Sequence, residues 1–87
     1  MKIFFFMGRN PLTRSGVSWK IWKIVRLNRS VTTYWGAAAL ERRKVVPKGD
    51  LAHRTRYFKS VAAAVGFEEK LIASKLEKGY ERRTRWR

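Results

Sequence analysis

One stretch of this chain decides most of what it can become. From about Val61 to Lys78 the apolar residues Val61, Ala64, Val65, Leu71, Ile72 and Leu76 recur at helical spacing, with Phe67 at the edge of the stripe. Ser60 precedes the stretch as an N-cap, because its hydroxyl can accept an orphan N–H of the first turn. Gly79 follows as the left-handed stop, and Lys75 and Lys78 suit the negative end of the helix dipole. Gly66 weakens the middle by up to ~1 kcal/mol against alanine, and its missing side chain is expected to let the helix approach a sheet closely. Glu68 falls inside the stripe, so either it pairs with a strand arginine or the stripe is narrower than drawn. A helix that is apolar on one side needs a second layer to bury it.

The residues before it read as that layer. Trp19 to Leu27 is rich in aromatic and β-branched residues, with Trp19, Ile21, Val25 and Leu27 on one strand face, interrupted by Lys23, and Lys20, Trp22, Ile24 and Arg26 on the other. Asn28-Arg29-Ser30 is a turn and Val31 to Trp35 is again β-rich, so residues 18–35 read as an antiparallel hairpin. Helix propensity favours a short helical turn at Ala37-Ala38-Ala39-Leu40, with a loop as the alternative. A third strand is expected over Arg42–Val46, a turn at Pro47-Lys48-Gly49-Asp50 and a fourth strand over Ala52–Phe58. The apolar start, Ile3 to Met7, reads as a strand or a frayed end, and residues 8–17, punctuated by Asn10-Pro11 and Ser15-Gly16, as a loop. The expectation is an α+β fold: about four antiparallel strands packed on one C-terminal helix. Residues 1–17 form an N-terminal extension, 18–82 the domain and 83–87 a basic tail. Trp19, Phe58 and Phe67 are expected in the core. Trp22, between Lys20 and Ile24, sits on the more polar face.

Charge then narrows the function. The 87 residues carry 21 Lys or Arg against 6 Asp or Glu, a formal net charge of +15, while 45% are hydrophobic. A disordered basic tail would be poorer in apolar residues, so a small folded core is expected. All six acids lie after residue 40, and a net charge this far above the ~2–8 usual for a small domain favours polyanionic partners. The absence of cysteine excludes disulfides and thiolate metal sites, and one histidine with scattered carboxylates argues against a metal enzyme or any cofactor. No segment reaches the ~20 apolar residues that span a bilayer, and Ile3–Met7 is too short for a signal-peptide core. The expected location is intracellular, cytoplasmic or nucleoid-associated, without a membrane role.

Tyr34-Trp35-Gly36, a basic strand, Tyr57-Phe58, one alanine-rich helix and Lys75-Leu76-Glu77-Lys78-Gly79-Tyr80 occur in this order. The arrangement resembles a WGR domain, in which a strand ends in Trp-Gly-Arg, another ends in Phe, and a helix closes with Lys-x-x-x-Gly-Tyr. The resemblance covers about residues 18–82. It departs at Ala37, which stands where the family has arginine, and in a longer loop between Gly36 and the strand ending at Phe58. The resemblance implies an antiparallel sheet on one helix. Such domains in DNA-dependent poly(ADP-ribose) polymerases bind DNA ends, the motif tryptophan stacking on the terminal sugar while basic groups hold its phosphate. Carried over, Trp35 would be the stacking platform and Gly36 would let backbone approach the nucleic acid, with Lys75, Lys78 and Tyr80 at the helix end.

The residues themselves point the same way less sharply. Lys20, Lys23, Arg26 and Arg29 on the hairpin, Arg42, Arg43, Lys44 and Lys48 in the long loop, and Arg54 and Arg56 on the fourth strand are expected to form one patch that neutralises phosphates. An exposed aromatic ring adds stacking. His53 lacks a visible partner for base catalysis, and Ser15, Ser18 and Ser30 lack a nucleophile's context, so an enzyme is not expected. The reading is a nucleic-acid-binding module, DNA favoured over RNA. The alternative is a protein–protein module anchored by an exposed Trp22 or Trp86.

Overall fold

The computed structural model describes residues 1–9, 12 and 16–82. The Asn10-Pro11 turn signal, Ser15 and the tail 83–87 with Trp86 lie outside the described residues. Five strands precede one helix: β1 (Lys2–Arg9), β2 (Val17–Leu27), β3 (Ser30–Glu41), β4 (Lys44–Pro47), β5 (Ala52–Tyr57) and α1 (Val61–Glu77). All strand pairs are antiparallel, giving a small α+β fold.

The apolar run Ile3–Met7 lies within β1, which pairs with β2 from Lys2↔Ile24 to Arg9↔Val17. Its apolar residues are consecutive rather than alternating because both sheet faces bury side chains. Phe4 joins Trp22, Ile24, Val31 and Ala64 in one cluster, and Phe5 joins Ile21, Ala38 and Val45 in another. The helix packs on the first face through Ala64, with Phe67, Leu71 and Ile72 around it. The second cluster is flanked by Ile3, Trp19 and Leu51.

The β2–β3 hairpin turns at Asn28-Arg29, where Asn28 takes a left-handed φ of 57° that its short polar side chain tolerates. Beyond Trp35 the expected helical turn at Ala37–Leu40 is absent: β3 runs on to Glu41. Alanine's helix preference is overridden by strand pairing: Ala38 is held between Trp19 of β2 and Pro47 of β4, and Ala39 and Leu40 continue the ladder with β4. The next strand begins at Lys44, not Arg42, since Arg42 and Arg43 adopt φ of 49° and 67° and form the tight β3–β4 turn.

β4 and β5 lie end to end along the same edge of β3. Lys48 N donates to Ala37 O at 3.0 Å and Ala52 faces Trp35, so Gly49, Asp50 and Leu51 all stand opposite the single residue Gly36. Gly49, at φ 101°, takes the backbone conformation that this bulge needs.

Ser60 caps the helix by accepting from Ala63 N at 3.1 Å, and Gly79 ends it at φ 98°. The apolar stripe is narrower than its sequence suggests. Val61 and Leu76 are exposed, while Glu68 leaves the core to meet Arg26, with Nε 3.4 Å from Oε1 as an ion pair without hydrogen-bond geometry. Gly66 does not mediate close packing: it is exposed, and nothing lies within 4 Å of the space its side chain would fill. Ala64 makes the close approach instead. Trp22 is also corrected. It is 3% exposed and tilted on Phe4 at 5.4 Å, so it is core and anchors no partner. Phe58 and Phe67 pack with their rings tilted by 42° and their centroids 5.0 Å apart, and Trp19 is half-buried against the second cluster.

After the helix the chain returns to β1. Phe5 and Glu81 exchange backbone hydrogen bonds of 2.8 and 2.7 Å, an isolated bridge at the middle of that strand's outer edge.

Candidate nucleic-acid interface

Residues directly opposite across strands share a face. Phe4, Trp22, Trp35 and Ala52 therefore form one row across β1, β2, β3 and β5 on the helix-bearing side. Phe4 and Trp22 are sealed beneath the helix, whereas Trp35 is 41% exposed. Its outer neighbour, Ala52, is too small to cover the ring.

Two grooves flank this indole. One, of about 270 Å³, runs between β3, β5 and the middle of the helix, walled by Val31, Thr33, Phe67 and Leu71 and carrying Arg54 and Arg56. The Arg56 guanidinium stacks 4.9 Å from the Phe67 ring, which holds it at the groove rim. The other, of about 450 Å³, lies toward the helix end and gathers Ser18, Lys20, Gly36, Ala37, Lys75 and Tyr80. No carboxylate lines either groove.

Lys75 is the most constrained of these cations. Its Nζ sits 5.4 Å from the Trp22 ring and 5.1 Å from Tyr80. Burial, and then the charges of Lys78 and Lys20, hold its ammonium below the ordinary lysine value. A bound phosphate would relieve both repulsions. Tyr80 packs on Phe6 at 5.2 Å, and burial pushes its phenol above the ordinary tyrosine value, so it stays neutral and able to donate a hydrogen bond.

The expected site residues divide. Trp35, Gly36, Arg54, Arg56, Lys75 and Tyr80 come together around the indole, and Lys78 lies close enough to act on Lys75. Arg42, Arg43 and Lys44 do not join them. Arg42 and Arg43 form the β3–β4 turn and Lys44 opens β4 beside it, about 20 Å along the strand from Trp35 at ~3.3 Å per residue. The expected single patch is thus dispersed. Lys23 lies on the opposite face, 5.7 Å over Tyr34, and Arg26 is engaged by Glu68. His53 sits beside Tyr34 on that opposite face, with ring centroids 5.8 Å apart. Lys20 belongs beside Trp35, and Thr33, Phe67 and Leu71 form groove walls that sequence reasoning did not place there. The strand alternation of Lys20 with Trp22 was the available signal for Lys20. Among the described residues no cluster of His, Cys, Asp or Glu is able to hold a metal ion, and no helix is long and apolar enough to cross a membrane.

Gly36 has a structural task of its own. A Cβ there would fall 2.8 Å from Leu51 Cδ2, so the glycine's open side receives Leu51. Gly36→Ala should cost up to about 1 kcal/mol, because the atom in the way is the far end of the Leu51 side chain, which can shift. Leu51→Ala in the same chain should recover at least ~0.5 kcal/mol of it, read as the coupling in a urea-unfolding double-mutant cycle. Additive losses would mean that Leu51 does not fill this space.

No protein-family model, curated protein or solved structure matches the chain.

Proposed function

We propose that this protein is a non-catalytic, WGR-like nucleic-acid-binding module that prefers DNA, and within DNA its ends or nicks. One observation carries the reading: an accessible indole, Trp35, stands between two grooves whose charged groups are all cationic. Lys20, Arg54, Arg56, Lys75 and Lys78 neutralise phosphates and release condensed counterions, which attracts any nucleic acid without reading its sequence. Trp35 adds what a continuous duplex cannot use. Stacked base pairs hide their faces, whereas a terminus or nick exposes a sugar or base that settles on an indole.

Trp35→Ala tests this directly. Stacking worth ~1–3 kcal/mol predicts roughly 5- to 150-fold weaker binding to a nicked or blunt-ended duplex. Binding to closed circular DNA should change far less. Equal losses on both substrates would overturn the preference for ends. Competition between matched DNA and RNA duplexes decides between the two nucleic acids.

A further inference from the structure

We propose that the free edge of β5 is a strand-addition site for an extended segment of a partner protein in which acidic and apolar side chains alternate. Its six residues, Ala52–Tyr57, are all exposed. They pair with β3 on one side, and among the described residues no strand pairs on the other. The ladder's phase follows from Phe58 N donating to Arg29 O at 2.9 Å. Every second residue back from Phe58, namely Arg56, Arg54 and Ala52, exchanges its bonds with β3. The N–H and C=O groups of His53, Thr55 and Tyr57 therefore point outward. The Thr32 and Thr55 hydroxyls meet at 2.8 Å, as expected of a non-hydrogen-bonded pair, where side chains stand closest.

The other edges of the sheet are occupied or guarded. β1 is bridged at its middle, where Phe5 pairs with Glu81, and β4 is four residues long and ends in Pro47. β5 is guarded only by charge. Two copies pairing here would set arginine against arginine on molecules of net charge +15, so self-association is disfavoured. The same Arg54 and Arg56 favour a strand with carboxylates across from them. On the opposite face Tyr57, 82% exposed, offers a ring to an apolar or β-branched neighbour. The fitting partner is thus an extended segment with Asp or Glu at alternate positions and Val, Thr or Tyr between them. This site does not depend on nucleic-acid binding, but it shares Arg54 and Arg56 with that surface, so the two ligands should compete.

The test uses a labelled peptide alternating Glu with Val and Thr, against one of identical composition with its glutamates in a single block. Fluorescence polarisation should show the alternating peptide binding at least about tenfold tighter. Thr55→Pro removes an outward N–H and the hydroxyl contact with Thr32 but leaves the backbone ladder to β3 in place, a position where an edge strand tolerates proline. It should weaken the alternating peptide about tenfold while leaving duplex affinity unchanged. In the unaltered protein, the peptide should slow amide exchange at His53, Thr55 and Tyr57, a readout that stands even if the proline variant fails to fold. Equal affinity for both peptides would overturn the proposal. So would full peptide affinity in a folded Thr55→Pro variant, dimerisation of the free protein through this edge, or protection spread over every basic surface.

Discussion

Raising salt from 50 to 200 mM should weaken the complex with a short DNA duplex about 500-fold. The figure follows from the cations around Trp35. If Lys20, Arg54, Arg56 and Lys75 of the two grooves and the nearby Lys78 each meet one phosphate, each adds about −0.9 to the slope of log affinity against log salt. The expected slope is therefore about −4.5. Were Arg42, Arg43 and Lys44 to reach the backbone as well, it would steepen to about −7. Titrations at several salt concentrations measure it directly, and a slope shallower than about −2 would remove the two grooves as a phosphate-binding surface.

The second large effect concerns the fold. Trp22→Ala should cost about 3–5 kcal/mol, the usual loss when a buried tryptophan is truncated. Trp22 is 3% exposed, touches Phe4 and lies under the Lys75 ammonium, so the cavity opens beneath the helix where little can collapse into it. A domain of 87 residues has about 4–13 kcal/mol to lose in total. The variant's urea midpoint should therefore fall by about a quarter or more, and at the lower end of that stability range the chain would be unfolded in water. Trp35→Ala, one strand away in the same row, should leave the midpoint close to that of the unaltered protein. Similar losses for both would mean that the row is covered more evenly than its burial indicates.

The difference between these two tryptophans also marks what was legible in the sequence. Local chemistry carried far. The Ser60 cap, the Gly79 stop and the Asn28 turn placed the helix and the central hairpin, because each depends on a few neighbouring atoms. Glu68 inside an apolar stripe left two readings, a strand-arginine partner or a narrower stripe, and both occur: Arg26 meets it, and Val61 and Leu76 are exposed. Trp22 was misread because Lys20 and Arg26 share its strand face. Those two lie toward the ends of that face, one beside the helix terminus and one paired with Glu68, so their charges escape the core that Trp22 fills. The strand at Ala37–Leu40 was illegible for the opposite reason: its conformation is imposed by two neighbouring strands rather than by its own residues. Placing Leu51 over Gly36 required knowing a two-residue shift in register between distant segments. The indole and its nearest cations were visible as residues, but their division into two grooves came from the sheet.

The β3–β4 hairpin gives the molecule reach. With principal dimensions of 47 × 25 × 21 Å, the protein is a bar, and the tip bearing Arg42 and Arg43 is remote from the indole. About 20 Å corresponds to roughly six base pairs of duplex, a little over half a helical turn. A nucleic acid held at the indole would meet these guanidiniums only by running the length of this arm, so the steepness of the salt dependence also reports which way the ligand lies along the bar.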